Sequence, residues 1–333
     1  MYVIRCFSLI KKERRMASVL KTPYDDVFRT LTNDCPSLVI PFSNELFKMD
    51  YTGQEIVVKK ENEIFLHKQD GEEEKRITDT SLIIKRNLTD KGEGYHFECQ
   101  STKDGTLAIR MYEYDSQIAL KNGDMEEGML TVRFPKSAIL YLRSDKRTPK
   151  YIWMKMETPG GCVQYKIPVL KINDYTLDMI FEKNLFFILP FYIFTYEKLL
   201  KVYERSKSKR LQLQYEFLEI RNRLQDCCEQ GLIDEYTRVT LIDMSKKVIR
   251  SLLGDKYPRV RKGVEEAMGG QILEYEAKTI LNRGKAEGRI EGESLLAKLI
   301  SRLLDDGRNK DVALAAKDEE ARKQFYREYG MIE

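Results

Sequence analysis

Residues 78–101 read TDTSLIIKRNLTDKGEGYHFECQS. Two apolar runs flank a polar, glycine-bearing middle, so the stretch predicts strand, turn, strand. In the second run Tyr95, Phe97 and Cys99 alternate with His96, Glu98 and Gln100. A strand has a side-chain period of two, so the three polar side chains share one face. Any half-buried antiparallel strand with one wet face shows the same alternation.

The pattern extends in both directions. Upstream, EIVVKK (55–60) and EIFLHKQ (63–69) read as further strands, and QDGEEEK (69–75) reads as a polar turn, giving an antiparallel meander. Before them TPYDDVFRTL (22–31) predicts a helix capped by Thr22, with Pro23 at its first position and Asp25 and Asp26 in its first turn. IPFSNELF (40–47) predicts a second short helix carrying Glu45, before a turn at Gly53. Downstream, LAIRMYEYDSQIAL (107–120) has helical spacing, with Leu107, Met111, Tyr114 and Ile118 on one face. SAILYLRS, KYIWMKMET and VQYKIPVLKI form a second strand group that extends or edges the same sheet, the last two joined by a Pro159-Gly160-Gly161 hairpin turn. Beyond Tyr175 the pattern is helical, over 197–229, 233–253, 261–282 and 293–305. The expectation is an α/β domain followed by an all-helical region.

Composition narrows the chemistry. The chain has 333 residues, 42% of them hydrophobic, with 57 basic and 53 acidic side chains and a net charge of +4, enough for a substantial core and neutral about partners. Six scattered cysteines with no CxxC pair indicate neither a zinc site nor a disulfide framework and fit a reducing cytoplasm. Two histidines, His67 and His96, argue against a zinc hydrolase. The start, MYVIRCFSLIKKERRM, places its apolar piece before its basic cluster and is not a secretory signal; the expectation is that Met16 is the true start and residues 1–15 an upstream extension. LFFILPFYIF (185–194) is shorter than the roughly 20 residues of a membrane span and contains Pro190, so it reads as buried core and no membrane partner is expected.

The order of these parts resembles the PD-(D/E)XK nucleases, and the wording resembles the Rpn-like recombination-promoting nuclease family of transposases within them. The resemblance rests on Asp25-Asp26-Val27-Phe28-Arg29 in the opening helix, Asp79 before an apolar strand, Glu98-Cys99-Gln100-Ser101 on the next, and Arg110 to Tyr114 in the following helix. It continues loosely through FILPFYIFTYEK to GKAEGRIEG. It implies a restriction-endonuclease-like core with a mixed sheet over 17–196 and a helical C-terminal region over 197–333. It also implies metal-dependent cleavage of DNA in a recombination or mobile-element setting. Asp79, Glu98 and Gln100 take the catalytic positions. Asp79, Glu98 and the Cys99 backbone carbonyl would hold Mg²⁺, with Mn²⁺ as an alternative, and Glu45 is an added candidate ligand. Gln100 stands where many PD-(D/E)XK enzymes have lysine; its amide can orient a water but carries no charge to acidify it.

His96, on the face of Glu98, is either a hydrogen-bonding partner of the site or partly exposed packing. Arg110 either holds Glu98, grips phosphate or makes a structural ion pair. The basic clusters RSKSKR (205–210) and KYPRVRK (256–262) suit phosphate contacts or a solvated helix face. Gly284, Gly288 and Gly292 recur every four residues and mark a loose connector or, alternatively, a stripe for a homodimer. The rival to the nuclease expectation is a nuclease-fold protein without catalysis that binds DNA or another protein.

Overall fold

The computed structural model describes residues 23–60, 63–67, 73–77, 80–102, 104–269, 295–304, 306, 308, 311–312, 314–315 and 319–331. Asp79, Thr22, residues 1–15 with Met16, and Gly284, Gly288 and Gly292 lie outside them. The chain divides into two compact units, Met1–Gly270 and Gln271–Glu333.

Unit one is an α/β fold. Helix α1 (Pro23–Asp34) carries Asp25 and Asp26 in its first turn and buries Val27, Phe28 and Leu31. A 3₁₀ turn leads to α2 (Val39–Phe47), which ends at Lys48 in the left-handed conformation. The strands then come in two groups. β1 (Ile56–Lys59), β2 (Glu63–His67), β3 (Glu73–Ile77), β4 (Thr80–Lys85) and β5 (Glu93–Gln100) precede α3 (Leu107–Lys121). β6 (Asp124–Glu126), β7 (Met129–Thr131), β8 (Lys136–Tyr141), β9 (Tyr151–Thr158) and β10 (Gly161–Lys171) come after it.

Six strands make one mixed sheet in the order β1-β4-β5-β8-β10-β9. β1, β4 and β5 are antiparallel; β8 runs parallel to β5, and β10 parallel to β8. The expected meander is corrected in one respect. β2 does not join the sheet but pairs with β3, formed from the end of the stretch read as a polar turn, in a separate hairpin. The β4–β5 reversal requires Gly92, at φ +78°, where an added Cβ would come 2.8 Å from the Ile84 carbonyl. β9 and β10 form the expected hairpin, with Thr158 opposite Gly161.

The sheet has two covered faces. On one, Tyr95 and Phe97 of β5 meet Phe42 and Phe47 of α2, with ring centroids 5.2–6.2 Å apart. Phe42 continues to Phe187 at 5.1 Å, and Phe187 to Phe28 at 4.8 Å. Phe187 belongs to a 3₁₀ run, Phe186–Leu199, whose residues Phe186 to Phe194 are all buried, as expected of this apolar stretch. On the other face α3 packs Leu107 and Met111 against Ile139, Tyr141 and Ile167.

Helix α4 (Leu177–Glu182) precedes the 3₁₀ run, and α5 (Leu200–Arg205), α6 (Lys207–Glu229), α7 (Glu235–Leu253) and α8 (Pro258–Ala267) follow it. α7 packs on α1 and on the 3₁₀ run, burying Leu241, Ile242, Val248 and Ile249. These helices therefore share a compact unit with the sheet, and the division expected at residue 196 does not coincide with the parting of the two units. In unit two, a helix over 295–304 and α9 (Glu319–Glu328) gather Leu299, Leu303, Ala315, Phe325 and Tyr326 into a small core. Among the described residues no helix is long and apolar enough to cross a membrane.

Candidate functional site

The alternation in β5 holds: His96, Glu98 and Gln100 point to the α3 side, and Tyr95, Phe97 and Cys99 to the aromatic side. The polar face is not wet. His96 is fully buried, and Glu98 and Gln100 are 4% and 6% exposed, because α3 lies across them. Parallel pairing sets Ser137 of β8 beside His96 and Ile139 beside Glu98.

The polar groups form one chain of bonds. His96 Nδ1 is 2.7 Å from Asp115 Oδ1, and Nε2 is 3.2 Å from Glu98 Oε1. A neutral imidazole has a single N–H to offer, so two carboxylate partners demand the imidazolium form. Burial presses the His96 pKa down, but its bonds to Asp115 and Glu98 outweigh that and raise it to about 9. Asp115 Oδ1 also accepts the Ser137 hydroxyl at 2.6 Å. Arg110, one turn into α3, donates from Nη2 to Gln100 Oε1 at 2.9 Å, lies 3.5 Å from Glu98 Oε2, and reaches Asp104 at 3.2 Å. The Gln100 amide donates onward to the Thr102 carbonyl. Asp104 in turn accepts from the Thr106 N–H at 2.8 Å and steadies the start of α3.

The structure thus brings together Glu98, Gln100, Arg110 and His96 and does not bring Glu45 to them. Glu45 sits on α2, whose Phe42 and Phe47 pack on the opposite face of the sheet. It accepts from the Tyr175 hydroxyl and from Lys183, each at 2.9 Å. Burial presses its carboxyl upward, but these bonds outweigh that and hold it below the ordinary value. Asp115 and Ser137 were missed from sequence. The signal for Asp115 was a carboxylate placed four residues after Met111 and three before Ile118, inside the apolar stripe of α3. Nothing in the sequence marks Ser137, whose position depends on the parallel pairing.

The expected cation is a separate matter. Both Glu98 oxygens already face donors, both ends of the Gln100 amide are engaged, and among the described residues no group of three His, Cys, Asp or Glu side chains could hold a metal ion. The described residues alone do not make a cation site. No family model matches the chain, and neither a curated protein nor a solved structure gives a match.

Proposed function

We propose that this chain is a cytoplasmic PD-(D/E)XK-type DNA endonuclease of a recombination or mobile-element system, its centre built on Glu98 and Gln100 and completed by Asp79. The observation that carries the reading is the joint placement of Glu98 and Gln100 on one strand face, under a helix whose Arg110 reaches both. The order of elements agrees with it: an opening helix, an apolar strand starting at Thr80, a tight reversal, the strand of Glu98, and a helix that crosses over to a parallel strand. Thr80 pairs with Phe97, the residue before Glu98, so the strand that Asp79 precedes begins at the Glu98 end of β5. On this reading Asp79 supplies the second carboxylate for Mg²⁺ or Mn²⁺, and Glu98 and Gln100 leave their present partners when the site is loaded.

The test is a plasmid nicking assay with and without Mg²⁺. Wild-type protein should nick, and Asp79→Ala and Glu98→Gln should each fall by at least about a hundredfold, since loss of an ion's charge stabilisation costs several kcal/mol of barrier. Gln100→Lys should keep or raise the rate. If neither wild type nor Gln100→Lys cuts supercoiled, linear or single-stranded DNA with either ion, the reading is wrong.

A second reading is favoured by the clamp on Glu98. A carboxylate held by an imidazolium and a guanidinium at 4% exposure suits a nuclease fold whose polar centre is structural and whose task is binding. Association with DNA without cleavage is its signature.

A further inference from the structure

Three neighbouring elements of the helical part of unit one collect cations. Arg205 ends α5; Lys207, Lys209 and Arg210 open α6; Arg259 and Arg261 open α8, with Lys256 before them and Lys262 after. Glu204 draws these segments together, accepting the backbone N–H groups of Arg259 and Val260 at 3.1 and 3.0 Å. Its carboxylate is thereby committed to capping α8. Closer approach is set by Gly263 of α8, where an added Cβ would come 1.9 Å from Gln214 Nε2 of α6. Arg205, Lys207, Lys209, Lys256, Arg259 and Lys262 are all exposed. Among the described residues the side chains of Arg205, Lys207, Lys209 and Arg259 make no ion pair, and Lys262 lies only within 3.9 Å of Glu266.

This placement costs stability. Cations in a helix's first turn oppose its dipole. Three helices follow the rule, α1 opening with Asp25 and Asp26, α4 with Asp178 and α7 with Glu235, while α2, α3 and α5 have no acidic residue in the first turn. At α6 and α8 the first turn holds no acidic residue. Arg261 is paired with Asp255 at 3.2 Å, but the exposed cations that remain at the two adjoining helix starts suit a bound polyanion. Along α6, Lys207, Leu211 and Tyr215 follow at intervals of four and share a stripe, and Tyr215 is 69% exposed. A flat ring beside cations is a stacking platform for an unpaired base.

We propose that the junction of α5, α6 and α8 is a nucleic-acid surface that grips the phosphodiester backbone of a single-stranded segment and stacks a base on Tyr215. It does not rest on chemistry at β5. The experiment measures binding of the full chain to a fluorescent 30-nucleotide single strand in EDTA, across a salt series. Each phosphate-neutralising cation contributes about 0.7 to the log–log salt slope on a single strand. Reversing three of them, in Lys207→Glu/Lys209→Glu/Arg259→Glu, should therefore make the slope shallower by about 2. The affinity of this variant at low salt should fall at least about tenfold, and Tyr215→Ala should weaken binding further without changing the slope. The reversed charges suit the helix starts, so the triple variant should melt at or above the wild-type temperature; if it does not fold, the matching alanine variant carries the same test. Unchanged affinity and slope overturn the proposal. So does wild-type protein that binds polyglutamate or phosphatidylserine vesicles but not the oligonucleotide. Binding in EDTA reads this surface and Mg²⁺-dependent nicking reads β5, so each can fail without the other.

Discussion

The two faces of β5 solve the same problem in opposite ways. On one, Tyr95 and Phe97 meet Phe42 and Phe47, and burial itself is the stabilising term, at about 25 cal/mol per Å² of apolar surface. On the other, His96, Glu98 and Gln100 are buried to the same degree, and burial is a cost that only complete pairing offsets. An apolar face tolerates repacking, whereas a charged network loses its balance when one member goes. A fold that needed only stability would have placed apolar residues on both faces, which is why the polar face is the place to look for function.

The widest break between the faces comes from cutting the chain after residue 196. The aromatic face owes its outer cover to later helices: Glu216 accepts the Tyr192 hydroxyl at 2.7 Å, Lys247 pairs with Asp26, and α7 packs on α1. A fragment over 17–196 should therefore fail to give a cooperative urea transition or dispersed amide resonances. A well-folded fragment would restore a boundary at 196 and make the later helices an accessory. Next in size, Phe97→Ala in the full chain should cost about 3–5 kcal/mol in urea unfolding, the range for a large aromatic removed from a packed core. A loss below about 1 kcal/mol would mean that this face is not the main core.

Much of this was legible in residue spacing. Periods of two and of 3.6 mark β4, β5 and α3, each of which buries an apolar stripe, and the β9–β10 hairpin, whose Ile152, Met154 and Tyr165 are half-buried against the core of Ile139 and Ile167. The β6–β7 hairpin leaves no such stripe: Met125, Met129 and Leu130 are exposed, so nothing distinguishes it from a loop. β3, Glu-Glu-Lys-Arg-Ile, reads as solvated for want of apolar alternation. The parallel partnership of β5 and β8 depends on how α3 crosses between them, a long-range fact that local periodicity does not contain. The same crossing explains the site. Glu98, Gln100 and Arg110 were readable as a set, but the burial of the polar face is a property of where α3 lies. Asp115 stood within the apolar stripe of that helix, where a carboxylate is out of place unless something across the interface pairs with it.

The finest test of the contrast is pH, since from about pH 6 to about pH 9.5 the polar face changes charge, while burial holds the Tyr95 hydroxyl of the aromatic face above its ordinary pKa. His96 has an ordinary pKa near 6.5 and is raised in the folded chain to about 9 by Asp115 and Glu98, against the opposing effect of burial. Its folded-state pKa therefore exceeds its unfolded one. Between those values the folded chain binds more protons than the unfolded chain, so raising the pH favours unfolding. The contribution of this pair of bonds is fully present below pH 6.5 and is lost as pH rises through 9, at a slope of at most about 1.4 kcal/mol per pH unit. Urea unfolding from about pH 6 to about pH 9.5 should show that decline. His96→Gln should be less stable at about pH 6, where it forgoes the charged bonds, yet nearly flat over the window. Phe97→Leu, on the opposite face, should keep the wild-type slope while shifting the whole curve down. A slope that persists undiminished in His96→Gln would show that His96 is not an imidazolium between two carboxylates and that the polar face is held together by other means.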